Sequence, residues 1–169
     1  MSLSLYLVRH AKSAWDDPEL EDFERPLNAR GRRDAPRMAQ FAADLCGDRP
    51  PVLLSSPAVR AVTTARRFAE AMRIDPRRMH LDARLYEATA GDWLQIVREQ
   101  PADAESLMAF GHNPGISEFA GWLCDALRGY EFSTAELVAL RLDAPSWAAL
   151  TPGCGRCERR QKPKALPEA

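Results

Sequence analysis

The stretch "LYLVRHAKSAWDDP", Leu5 to Pro18, decides how this chain folds and where its chemistry lies. The apolar run from Leu3 to Val8 has the form of a strand buried on both faces, as in a parallel sheet, and it stops abruptly at Arg9 and His10. "PVLLSS" (51–56) and "SLMAFGH" (106–112) repeat that form, each running out into small or polar residues. "LVALRL" (137–142) reads as a fourth strand and "RMHLDARL" (78–85) as a weaker fifth. Between them lie helical patterns. One follows Pro57, with Val62, Ala65, Phe68, Ala69 and Met72 facing inward, and another spans about Asn28 to Leu45, with Pro36 predicting a kink or a late start. "GDWLQIVREQ" (91–100) is a short helix. In the clearest one, Ile116, Phe119, Ala120, Leu123 and Leu127 form a stripe, with Asn113 expected as N-cap and Pro114 at the first helical position.

Strands alternating with helices predict an α/β fold, a three-layer sandwich with a mostly parallel central sheet flanked by helices. Ligands of such sheets collect at the carboxyl ends of the strands, so Arg9 and His10 stand where the first strand empties into a site.

At 169 residues the chain suits one packed domain, expected over residues 1–150. Residues 151–169, rich in Pro and charge and poor in large apolar side chains, read as a mobile C-terminal tail. Lys and Arg number 23 against 24 Asp and Glu, so no overall field recruits nucleic acid and any electrostatic selectivity is local. "MSLSLYLV" lacks the basic flank of a signal peptide and no apolar run is long enough for a membrane span, which predicts a cytoplasmic protein without membrane partners. Cys46 and Cys124 fit helix interiors. Cys154 and Cys157 form one CxxC with no second ligand pair, so no metal is expected there.

Chemistry-bearing residues recur near the ends of elements: Arg60 after "VLLSSP", His112 after "SLMAF", and Glu87 on a loop in "RLYEATAGDW". Guanidinium forks suit phosphate oxygens, and an imidazole held among them stays neutral with a lone pair available. Such a histidine can accept a phosphoryl group, because phosphoryl transfer asks chiefly for in-line positioning and cations on the equatorial oxygens. Glu87 can then protonate the leaving group and activate water. Taken singly, each residue also has an ordinary structural role, as does His80, which has no companion motif.

Together the flanks are more specific. "LYLVRHAKSAW" resembles the arginine-histidine signature of the histidine phosphatase superfamily, which includes the cofactor-dependent phosphoglycerate mutases. "SSPAVRAVTTA" is similar to its second arginine motif and "GHNPG" to its second histidine motif. RHAKS in place of RHGES, the short chain, "RPLNARGRRDA" and "GHNPGIS" resemble the SixA-like phosphohistidine phosphatase branch. The resemblance spans about residues 3 to 142. It implies a phosphoglycerate mutase-like fold and a metal-independent phosphatase with no cofactor. His10 would be transiently phosphorylated, with Arg9, Arg60 and His112 around the phosphoryl group and His112 as a charged donor. Glu87 matches the acidic position of mutase-like members only in its short "LYEA" context. Lys12 and Ser13 adjoin His10, and Ser13 is a further phosphate-binding candidate. Asp16 stands where mutases carry Asn and would repel phosphate unless turned away, which argues against a mutase.

The implied substrate is a phosphohistidine on a partner protein, with inorganic phosphate as product, because the chain has little room for the cap that encloses small substrates in larger relatives. A phosphatase of small phosphoesters and a non-catalytic phosphoryl-binding adaptor are the alternatives. Six acidic residues between Asp16 and Glu24 form either a partner-selecting rim or a solvated loop.

Overall fold

The computed structural model describes residues 2–168, and among these six strands form one sheet. The strands are β1 (Ser2–Arg9), β2 (Val52–Ser55), β3 (His80–Leu81), β4 (Ser106–Gly111), β5 (Leu137–Asp143) and β6 (Gly155–Gln161). Their order is β3-β2-β4-β1-β5-β6. The first four in that order pair in parallel, while β5 and β6 add antiparallel at one side. The predicted mostly parallel three-layer sandwich is what the chain forms.

Four α-helices cover the faces: α1 (Ala29–Cys46), α2 (Val59–Ala71), α3 (Ala90–Arg98) and α4 (Gly115–Leu123). The two-residue period of the strands sorts their side chains between two cores. Leu3, Leu5, Leu7, Leu107 and Ala109 pack with Trp93, Ile96, Phe119 and Leu123 of α3 and α4. Val8, Met108 and Phe110 face the other way, onto Met38 and Ala39 of α1 and Ala65 and Phe68 of α2. Both faces of β1, β2 and β4 are thus covered, which explains their apolar sequence, while the two residues of β3 at the sheet edge stay exposed.

Asn28 caps α1, its side chain accepting from the Gly31 N–H at 2.8 Å. Pro36 does not delay that helix. It lies inside α1 on an exposed face, where water can reach the Arg32 carbonyl that lacks its usual N–H partner. Around α4 the expectation needs correction: the helix starts at Gly115, Pro114 occupies the N-cap position after a cis Asn113–Pro114 bond, and Leu127 lies in a separate 3-10 turn. Asn113 is engaged elsewhere, donating from Nδ2 to the Phe132 carbonyl at 3.0 Å and accepting from Ser117 Oγ at 2.5 Å.

The expected tail is also corrected. Residues 155–161 form β6, paired with β5 from Gly155 opposite Leu142 to Gln161 opposite Leu137, so the folded domain runs well past residue 150. Beyond it, Pro163 is buried and Leu166 packs on the α1–α2 core. An edge strand is held by main-chain hydrogen bonds and needs few apolar side chains. Its exposed Arg156, Glu158, Arg159 and Arg160 make the sequence look unstructured while discouraging further strand pairing. No helix among the described residues is long and apolar enough to cross a membrane.

Candidate active site

Parallel pairing of β1 with β4 sets Arg9 opposite Gly111, which brings His10 and His112 side by side just past the strand ends. The His10 N–H donates to the Gly111 carbonyl at 3.1 Å, and the two imidazole centroids are 5.1 Å apart. A side chain on Gly111 would run into the Trp93 ring, so the residue preceding His112 has to be small. Arg60 enters from the first turn of α2, where Thr64 Oγ1 donates to its carbonyl at 2.8 Å and accepts the Ala11 N–H at 3.0 Å. Helix and His10 loop are thereby joined.

These four residues share the wall of one cavity of about 240 Å³, to which Lys12, Ser13, Asp22, Arg25, Asn113 and Thr134 also contribute. Of the residues predicted from sequence, Arg9, His10, Arg60, His112 and Ser13 are therefore gathered. Glu87 is not among the lining residues: it is exposed, with a backbone φ of 57°. Asp16 is exposed and points to an adjoining groove.

His10 is 7% exposed and its Nδ1 lies 2.7 Å from the Ala11 carbonyl. A carbonyl only accepts, so Nδ1 carries the proton and the lone pair of the neutral ring is left on Nε2. Burial pulls the His10 pKa down to about 3, opposed by the Ala11 hydrogen bond and reinforced by His112, Arg60 and Arg9. His112 shares a 2.7 Å hydrogen bond between Nε2 and Ser56 Oγ. Burial, then Arg60, lowers it to about 4. In the free protein His112 is therefore a neutral ring rather than the charged donor expected, because desolvation and guanidiniums outweigh the Asp22 carboxylate nearby.

Arg9 Nη1 donates to the Phe132 carbonyl at 2.8 Å. That carbonyl belongs to a loop fixed by buried Glu136, whose carboxylate accepts from Tyr130 Oη at 2.5 Å and from the Ser133 N–H at 2.8 Å. Arg9 Nε, Arg60 Nε, and Arg25 Nε and Nη1 are buried without a hydrogen-bonding acceptor. Three guanidiniums and Lys12 against one carboxylate make the cavity locally cationic in a protein of formal net charge −1.

Sequence reasoning missed four participants. Arg25 is 6% exposed, donates from Nη2 to Ser13 Oγ at 2.8 Å and is covered by the Trp15 ring, whose centroid lies 3.2 Å from its Cζ. Asp22 pairs with Arg60 Nη2 at 2.9 Å. Tyr86 donates to Asp22 Oδ2 at 2.6 Å and sets its ring edge-on to His112. Ser56 fixes His112. The motif "RPLNARGRRDA" contained Arg25, but nothing in its spacing singled out that residue. Among the described residues no group of three or more His, Cys, Asp or Glu side chains is gathered as a metal ion requires.

Comparison with known proteins gives consistent results. The family model described as Histidine phosphatase superfamily (branch 1) matches residues 5–121. An uncharacterized chloroplastic protein of Arabidopsis thaliana is 33% identical over 155 residues, covering 87% of this chain and 70% of that one. The structure of a candidate phosphohistidine phosphatase SixA from Agrobacterium tumefaciens superposes with a TM-score of 0.78 at 29% identity, over 95% of this chain and 97% of that chain. A protein histidine phosphatase SixA complexed with tungstate superposes at 0.80 over 96% and 98% of the two chains; at 19% identity that likeness concerns the fold.

Proposed function

The chain belongs to the histidine phosphatase superfamily, and from that premise we propose that it is a metal-independent phosphatase that works through phospho-His10 and acts on a phosphohistidine carried by a partner protein. One observation carries the reading: the Ala11 carbonyl holds the proton of His10 on Nδ1, so an uncharged ring presents Nε2 to a cavity walled by guanidiniums. Arg9 and Arg60 take the equatorial oxygens of the phosphoryl group, and Ser13 adds a hydroxyl beside Arg25. Entry of a dianion reverses the local field at His112 and favours its protonated, donating form. His10 Nε2 attacks phosphorus in line, the leaving group departs, and water then attacks phospho-His10 to release inorganic phosphate.

The substrate class rests on pocket size and on the bond to be broken. About 240 Å³ accommodates a phosphoryl group and one ring rather than a whole cofactor-sized ligand. The A. tumefaciens neighbour carries a candidate phosphohistidine phosphatase assignment, which supports the same class here. Imidazole leaves readily once protonated, so a phosphohistidine places modest demands on an acid. The four unpaired thiols, Cys46, Cys124, Cys154 and Cys157, fit a reducing compartment such as the cytoplasm.

Rapid quench of the protein with a radiolabelled phosphodonor should trap acid-labile phosphate on His10. His10→Ala should lose the label and about 10⁴-fold or more of turnover. Undiminished hydrolysis by that variant would overturn the mechanism, and phosphate binding without label would favour the adaptor. Rates on a phosphohistidine protein set against nucleotide and sugar phosphates decide the substrate class.

A further inference from the structure

Arg60 is already occupied in the free protein. Its Nη1 donates to the Asp22 carbonyl at 2.6 Å and its Nη2 to Asp22 Oδ2 at 2.9 Å, so one residue of the acidic loop takes both tips of the fork. The function proposed above, on which this inference rests, puts the same guanidinium on the phosphoryl group. Phosphoryl oxygens and Asp22 therefore compete for one guanidinium. The two partners differ in freedom: the Arg60 side chain is 7% exposed, the Asp22 side chain 50%. The Asp22 carboxylate can turn toward water and Arg60 cannot, so the carboxylate is the group that gives way, releasing Nη2 while the Asp22 carbonyl stays on Nη1.

We propose that Asp22 is the carboxyl that protonates the departing group, freed for that step when phosphoryl oxygens replace it on Arg60. In the free protein burial pushes its proton affinity up, but hydrogen bonds from Tyr86 and Arg60 and the charges of Arg60 and Arg25 outweigh this and hold the carboxyl below its ordinary range. Exchange removes the Arg60 hydrogen bond and puts a dianion beside the carboxyl, and both changes raise its affinity for a proton. The groups facing it are Arg60 from α2, Arg25 from its own loop, Tyr86 and, across the cavity, His112. The Tyr86 hydroxyl, 2.6 Å from Oδ2, keeps the released side chain at the cavity mouth, where its exposure lets solvent protonate it.

The step then balances. The Nε2 lone pair of His10 forms a bond to phosphorus while the bond from phosphorus to the leaving atom breaks, and that atom keeps the electron pair and takes the Asp22 proton. In the second half, water attacks phosphorus, Asp22 takes the proton that water loses, and the P–N bond pair returns to Nε2. Departing phosphate leaves Arg60 to Asp22, which sheds its proton to solvent. Glu87, exposed and outside the cavity lining, has no comparable contact with Arg60.

Single-turnover phosphorylation of His10 by phenyl phosphate, a poor leaving group, and by p-nitrophenyl phosphate, a good one, tests this. Asp22→Asn should slow the first by about 10²-fold and the second by less than about tenfold. Calorimetric titration with tungstate, which also reports an intact pocket, should show Asp22→Asn and Asp22→Ala binding about fivefold tighter than the unaltered protein, because the competing carboxylate is gone. Equal losses with both donors, no loss, tungstate binding no tighter, or a leaving-group-dependent loss in Glu87→Gln instead would each overturn the proposal while a labelled His10 leaves the parent reading standing. Absence of label on His10 in the unaltered protein would overturn both.

Discussion

One side of the cavity is made by strand tips and the other by a loop. Arg9 and His10 are fixed by main chain at the strand tips, where the His10 N–H donates to the Gly111 carbonyl, the Arg9 N–H to the Glu136 carbonyl and the His10 ring to the Ala11 carbonyl, and His112 beside them is held by Ser56 just past β2. The loop side is tied by strand-like main-chain contacts at its base, where Ser13 bridges Leu27 and the Ala14 N–H donates to Pro26 at 2.8 Å. Within it Asp22 and Arg25 are held by side-chain pairs, and its other acidic residues are exposed. Main-chain bonds within a sealed sheet fix geometry, whereas charge pairs at a surface are exchangeable. The nucleophile sits on the first kind of support. The group that must move with substrate sits on the second.

After loss of the nucleophile itself, Arg60, which meets both sides, gives the largest expected effect. Arg60→Ala should lower kcat/KM by about 10²–10³-fold, since it removes a fork aimed at developing charge. A variant with unaltered kcat/KM would mean that the strand tips alone suffice.

The next test concerns the buried rings. His10 and His112 titrate in the folded protein at about 3 and about 4, against 6.5 for an unperturbed histidine. As pH falls through 6.5 the unfolded chain takes up protons and the folded chain does not, so the unfolded state gains. The stability these rings allow is complete above about pH 6.5 and drains away toward pH 4, by up to about 1.4 kcal/mol per pH unit for each ring. Tm should fall from pH 7 to pH 4.5, and less steeply for His10→Gln. Identical slopes for the two proteins would show that the His10 ring is not held neutral.

A smaller effect is expected behind Arg9. Glu136→Gln weakens the clamp on Tyr130 and Ser133 and loosens the loop whose Phe132 carbonyl receives Arg9. A loss of about tenfold in kcat with His10 still labelled is expected, from misplacement rather than lost charge. Unchanged kcat would mean that the sheet orients Arg9 without this support. Least of all should turnover change on chelation or at the CxxC: EDTA should leave it unaltered, and Cys154→Ser with Cys157→Ser, half-buried against the α3–α4 core, should cost about 1 kcal/mol of stability each without altering turnover. Loss of activity in EDTA, restored by zinc, would contradict both halves of the comparison.

The same division explains what could be read in advance. Continuous apolar strands ending in Arg-His and Gly-His announce a parallel sheet and the residues at its mouth, because a strand's end is encoded locally. Asp22 was one of six acidic residues in a loop, and no periodicity tells which of them turns inward. His112 was expected to be charged, since its burial is set by packing from Ser56, Tyr86 and Arg60, none of which is near it in sequence. β6 escaped notice for a third reason: main-chain pairing at a sheet edge leaves little mark on side-chain composition.

The stacking of Trp15 on Arg25 gives the loop side a built-in optical label. Trp93 and Trp147 are buried and Trp122 half-buried, while Trp15 is 72% exposed, with a guanidinium over its ring. Because Arg25 also touches Ser13 and Asp22, any anion that reorders those contacts changes the surroundings of one indole, and its emission follows occupancy of the cavity without an added dye.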